Sequence, residues 1–225
     1  MQEMLSLFYS KSYENEINEL MLDKTYSFEQ AEIVRYARQL IDIPVEEYIK
    51  WLDNSFSGLS ISYEDAVQYS KLDDATDNIV RYMIDAGDMG YTHVEIGKLL
   101  QNDGVERTSG TDTKYGENHA KTAKYLGYLY SLNRYYYVSC LGYAYLELTE
   151  EERDLLNARL FLRTPLFRMV YLLSKSGNVS IKKLFDFLSD STYKRRKNNI
   201  KTLFDMLKAD KNYNWAEFFN KIFFE

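Results

Sequence analysis

Residues 191–210, STYKRRKNNIKTLFDMLKAD, set four consecutive cations, Lys194, Arg195, Arg196 and Lys197, at the head of an apolar helical pattern. These side-chain types suit recognition of a polyanion. An Arg fork pairs with two acceptors on a guanine edge and Asn pairs in the same manner with adenine. Lys, Ser and Thr hold phosphate oxygens, and a helix N-terminus itself favours an anion. Ile200, Leu203, Phe204 and Leu207 fall at i, i+3, i+4 and i+7 and predict the buried stripe. A rotation of about 100° per residue then turns Lys194, Arg195, Asn198 and Lys201 outward, places Thr192 near the helix start and leaves Arg196 toward the core edge.

A second set lies upstream. Lys114, Asn118 and Lys121 share one face of a helix expected over about 114–126, with Lys124 and Glu117 beside them. Lys114, Asn118, Lys121, Lys124, Thr192, Lys194, Arg195, Arg196, Asn198 and Lys201 are therefore the candidate contacts to double-stranded DNA.

Bond-making chemistry finds little support. A nuclease site needs an Asp followed by Asp/Glu-x-Lys, the acids holding Mg²⁺. Asp103 and Asp112-Thr113-Lys114 have that form, but in a polar stretch with no strand to hold them rigid. There is no phosphate-binding glycine loop, nucleophile elbow or zinc-protease helix. His93 and His119 are the only histidines, and His119 shares an inward face with Ala123 and Leu126. The expectation is no enzyme, no cofactor and no metal. Cys140 is the single cysteine, which excludes an intramolecular disulfide and fits a cytoplasmic setting. No segment has the run of about 18 apolar residues that a membrane span requires.

The 225 residues carry 28 Lys+Arg against 34 Asp+Glu, net −6, and the imbalance is uneven. Residues 1–72 are net −7, whereas residues 165–225 carry 12 bases and 6 acids. Local charge decides contact, because screening acts over about 8–10 Å at physiological salt. The acidic first 60 residues suit a helical cap or a protein partner.

The elements needed to position these residues can be read from pattern. Residues 27–41 open with Ser27 and Gln30, a capping-box spacing, and Pro44 starts a second amphipathic segment. SGLSIS, 57–62, reads as a linker. DDATDNIVRYMIDAG predicts a helix ended by Gly87, and Thr92 with Glu95 caps a short helix after it. Residues 101–113 read as a polar turn. Gly127 stops the helix from Lys114, and YLYS and YYYV flank a tight turn as a hairpin, with Tyr135, Tyr136 and Tyr137 as wing and packing residues. A single long helix is expected from Ser139 to about Leu162. Pro165 starts another helix, Val179 through Leu188 gives a short one, Ser191 or Thr192 caps the basic helix, and NYNWAEFFNKIFFE closes as a helix.

Helix, helix, helix, hairpin is the order of a winged helix. The expected architecture is mainly α with a small β-hairpin wing: a helical N-terminal region (1–60), a winged-helix domain with a bridging helix (61–164) and a winged-helix-like domain (165–225).

Residues 61–210 also resemble the winged-helix modules associated with restriction endonucleases. Leu126-Gly127-Tyr128 stands for their helix end, Tyr135–Val138 for the tyrosine-rich wing, and Pro165-Leu166-Phe167-Arg168 for the following helix. Thr192, Arg195, Arg196 and Ile200 match a later Arg-rich helix, while VSCLG departs from the usual Thr-containing start. The resemblance implies DNA recognition, in a restriction or defence system or in transcription regulation. The competing expectation is a protein-interaction adaptor with no nucleic-acid ligand.

Overall fold

The computed structural model describes residues 27–54, 60–101 and 108–225. It is mainly helical, with one two-stranded antiparallel hairpin and one short parallel strand pair. Among the described residues no helix is long and apolar enough to cross a membrane. The side chains of Ser27 and Gln30, Asp103 and much of the 1–60 region lie outside the described residues, as do residues 57–59 of the expected 57–62 linker.

The chain divides into two compact units, one holding residues 27–41 and 69–150, the other 42–68 and 151–225. The sequence-based boundaries at 60 and 164 are not the unit boundaries. Residues 42–68 group with the second unit, and the helix expected to bridge is divided, residues 139–150 in the first unit and 151–162 in the second.

In unit 1, α1 (Ser27–Asp42) buries Ile33, Ala37, Leu40 and Ile41 on one stripe. A 3-10 turn at Asp73–Ala75 leads into α3 (Asp77–Asp85), which follows α2 (Val45–Asn54) of the other unit. Then come α4 (His93–Leu100), α5 (Ser109–Leu126), β1 (Leu129–Leu132), β2 (Tyr135–Val138) and α6 (Cys140–Leu146). Thr92 and Glu95 form the expected reciprocal cap on α4. Helix α5 begins at Ser109 behind the Thr108 cap, so the turn read over 101–113 is partly helix. Gly127 ends it at φ 93°, a left-handed conformation that glycine adopts without cost.

Helices α4 and α5 touch backbone to backbone. A Cβ at Gly97 would strike the Asp112 carbonyl, and one at Gly116 would strike the His93 carbonyl. Two glycines at the crossing let the helices approach closer than any side chain permits. The hairpin pairs Leu129 with Val138 through Leu132 with Tyr135, and Tyr91 bridges to Tyr136 from the segment before α4. Ile79, Val80, Met83, Ile96, Leu126, Tyr128 and Val138 are all buried in this unit.

The helix expected from Ser139 to Leu162 is two helices, α6 and α7 (Glu150–Leu162). Ser139 caps α6 by accepting from the Gly142 N–H, and its hydroxyl donates to the Gly127 carbonyl. Acidic residues at 150–152 then favour a fresh helix N-terminus.

Unit 2 adds α8 (Pro165–Ser176), β3 (Val179–Ser180), α9 (Ile181–Leu184), α10 (Asp190–Asp205), α11 (Ala216–Asn220) and β4 (Ile222–Phe223). The helix expected over 179–188 is only four residues, because Val179 and Ser180 pair in parallel with Ile222 and Phe223. The C-terminal segment is correspondingly a short helix and a strand. An aromatic cluster forms the core: Phe161 lies edge-on to Phe204 with ring centroids 5.0 Å apart, and Phe167 packs with Trp215 and Phe218. Each buried ring is worth about 1.5–3 kcal/mol.

Candidate nucleic-acid interface

Helix α10 is held by its stripe of Tyr193, Ile200, Leu203 and Phe204, all nearly inaccessible. Its cap is Ser189, not Ser191 or Thr192. The Ser189 hydroxyl accepts from the Thr192 N–H at 3.3 Å and donates to the Thr192 hydroxyl at 2.9 Å. Thr192 is thus half-buried within the cap.

Lys194, Arg195, Asn198 and Lys201 are exposed along the opposite face, and their side chains make no hydrogen bond or ion pair with the described residues. Lys197 is half-buried beside them.

Arg196 is a correction to the expected contact set. It is 8% exposed and points to the stripe side. One terminal nitrogen donates to the Ala66 carbonyl at 2.5 Å and the other to the Tyr63 hydroxyl at 2.6 Å. The guanidinium lies 4.2 Å from the centroid of the Tyr63 ring. Burial, with the adjacent Arg195 adding repulsion, pulls its pKa below the usual arginine value. The reason is angular: Arg196 stands four residues before Ile200 and seven before Leu203.

On α5, Lys114, Lys121 and Lys124 are exposed and Asn118 is half-buried. This face is compensated locally. Lys121 pairs with Glu117 at 2.5 Å, and Lys124 donates to the Ser131 hydroxyl at 2.8 Å. The Lys121 ammonium holds the Glu117 carboxyl below its ordinary pKa. Asp112 of the nuclease-like triplet is buried in the first turn of α5 and accepts from the Gln101 amide.

Both histidines are structural in geometry. His119 is fully buried; Nδ1 lies 2.7 Å from the Tyr115 carbonyl, and Nε2 accepts from the Ser70 N–H at 3.1 Å. A carbonyl only accepts, so the proton sits on Nδ1 and the ring is neutral. Burial pushes its pKa down. His93 Nε2 lies 3.0 Å from the Tyr136 hydroxyl, which ties α4 to the hairpin. Among the tyrosines, Tyr136 is buried, Tyr137 stacks on Tyr130, and Tyr135 is 43% exposed.

Pattern reading missed two features. The hairpin turn is Asn133-Arg134, with φ of 50° and 73°. Both central residues of this turn type need positive φ, where Gly is preferred, and Arg134 stands there exposed. Asn133 carries the local signal for this turn, since asparagine tolerates positive φ better than most residues. Lys182 and Lys183 are exposed on α9, immediately before α10, with Lys182 3.1 Å from Asp190.

Comparison with protein-family models, with curated proteins and with solved structures finds no match. The functional reading therefore rests on the residues and their geometry. Among the described residues no cluster of three or more His, Cys, Asp or Glu is placed to hold a metal ion.

Proposed function

We propose that this chain is a double-stranded DNA-binding protein built on tandem winged-helix domains, with the outer face of α10 entering the major groove. The observation that carries the reading is the row Lys194, Arg195, Asn198 and Lys201, without an ion-pair partner among the described residues, on a helix that follows a short helix and a tight turn. In a helix-turn-helix the second helix of the pair presents its N-terminal half to base edges. Arg195 and Asn198 are the base readers; Lys194, Lys201 and Lys183 hold phosphates.

Unit 1 supports the reading by its order of parts. A helix, a bridging residue at Tyr91, two helices and a hairpin follow one another, and Tyr91 pairs with the second hairpin strand. In this assignment α5 is the recognition helix and Arg134 the tip of the wing. The biological setting, a restriction or defence system or transcription regulation, rests on the resemblance of residues 61–210 alone.

A second reading applies to unit 1. Lys121 and Lys124 are engaged within the unit, while Met89 (80% exposed), Leu132 (48%) and Tyr135 offer apolar surface. That surface suits a protein partner, with DNA binding left to α10.

Binding of the full chain to a random-sequence duplex pool at two salt concentrations tests both readings. Wild type is expected to select a sequence, and Lys194→Ala/Arg195→Ala to lose the selection with a shallower salt slope. Absence of binding at low salt would remove the DNA reading.

A further inference from the structure

Among the buried arginines of unit 2, Arg159 and Arg196 stand in contrasting settings. Arg159 meets a carboxylate, Asp210, at 2.7 Å. Arg196 has no carboxylate partner among the described residues. Its neighbours are a carbonyl, a phenol and an aromatic ring, and its Nε finds no hydrogen-bond partner among the described residues. A buried cation without a counter-charge is incompletely compensated for the water it has lost. A phosphate within reach would compete well for it.

The group that covers it is a strap. Ser62 and Asp65 cap a single 3-10 turn, Tyr63–Asp65, through hydrogen bonds from the Ser62 N–H at 2.8 Å and its hydroxyl at 3.0 Å to the Asp65 carboxylate. This cap fixes the turn, and the turn sets the Tyr63 ring over the guanidinium. Tyr63 itself is 56% exposed, so little else of unit 2 lies over the ring. Arg196 stands next to Arg195 in sequence, at the border between the stripe and the basic face.

We propose that Tyr63 sets the strength of sequence-independent binding: by holding Arg196 off the surface of α10, the Tyr63 strap removes one cation from phosphate contact. The inference rests on the DNA reading above and deepens it. Phosphate contacts raise affinity for every sequence alike, whereas base contacts discriminate. Withdrawing one cation therefore weakens binding to every duplex by the same factor and leaves discrimination to the readers Arg195 and Asn198.

Two measurements on the full chain test this, with Tyr63→Ala and Tyr63→Phe compared against wild type. The first is labelling with phenylglyoxal, which modifies accessible arginines, mapped by mass spectrometry. In wild type Arg195 reacts and Arg196 is protected; Tyr63→Ala makes Arg196 reactive, and Tyr63→Phe, which keeps the ring but loses the acceptor, falls between. The second is the salt dependence of binding to a non-target duplex. Tyr63→Ala steepens the log–log slope by about 0.9, one further phosphate contact. If Arg196 stays protected in Tyr63→Ala, or becomes reactive while the slope is unchanged, the proposal is overturned. If wild type binds no duplex, the proposal falls with the DNA reading, and the labelling result shows separately whether the strap covers Arg196.

Discussion

Arg159 and Asp210 meet at 2.7 Å with their side chains 4% and 3% exposed, an ion pair inside unit 2. Arg159 also donates to the Ile43 carbonyl at 2.9 Å, and Asp210 accepts from the Asn212 N–H at 3.0 Å. The pair thus ties the residue before Pro44, helix α7 and the segment after α10 to one point. Removing one partner leaves the other charged and buried. Asp210→Ala is expected to cost about 3–5 kcal/mol in denaturant unfolding. A loss below about 1 kcal/mol would mean that water reaches Arg159.

The crossing of α4 on α5 predicts a second stability effect. Gly116→Ala sets a methyl against the His93 carbonyl, and Gly97→Ala sets one against the Asp112 carbonyl. Backbone atoms cannot rotate away as side chains do, so each substitution must part the helices. Each is expected to destabilise unit 1 by about 3 kcal/mol, despite the better helix propensity of alanine. Gly110, with open space at its Cβ position, is the control, and Gly110→Ala should be neutral or mildly stabilising.

His119 gives unit 1 a dependence on pH. Its ring is neutral and doubly bonded, and burial depresses its pKa in the folded chain. As pH falls through the unfolded value of about 6.5, the unfolded chain takes up a proton that the folded chain refuses. Stability is therefore full above pH 6.5 and declines as pH falls toward 5.5. His93, also depressed by burial, acts in the same direction. Chemical unfolding at pH 7.5 and 5.5 checks the sign. His119→Gln should be less stable at pH 7.5 yet show a smaller loss between the two values. A wild-type stability that is flat over this range would contradict the neutral buried ring.

Sequence pattern carried the helices whose ends are set by local chemistry. The Thr92–Glu95 cap, Gly127 and the stripe Ile200, Leu203, Phe204 and Leu207 need no distant partner to be read. What pattern missed depends on contacts far along the chain. Val179 and Ser180 look helical until Ile222 and Phe223 pair with them, some forty residues on. Arg196 shares charge with Arg195, but its partners Tyr63 and Ala66 lie more than 120 residues away. Nor can spacing reveal that Lys121 and Lys124 are already engaged on α5.

That contrast between the two helices makes the α5 and α10 faces unequal. Lys121→Ala removes a cation whose field Glu117 already offsets, whereas Arg195→Ala removes one with no ion-pair partner among the described residues. With duplex DNA, Lys114→Ala/Lys121→Ala is expected to reduce affinity less than Lys194→Ala/Arg195→Ala, which should lose about 1–3 kcal/mol per base-reading contact. Equal losses would show that both helices lie on the duplex.

Arg134 offers the last test, because its fold and its proposed role pull in opposite directions. At φ 73° an arginine is strained by its Cβ, and glycine would relieve about 1–2 kcal/mol there. The side chain is exposed at the hairpin tip and makes no hydrogen bond or ion pair with the described residues. Arg134→Gly should therefore raise the unfolding midpoint of unit 1. If the hairpin is a wing lying along DNA, the same change should weaken duplex binding and reduce the salt slope by about 0.9, one phosphate contact. A variant that is more stable and binds DNA as tightly as wild type would leave the strained arginine without a role in DNA contact, and would favour the protein-partner reading of the Leu132–Tyr135 surface.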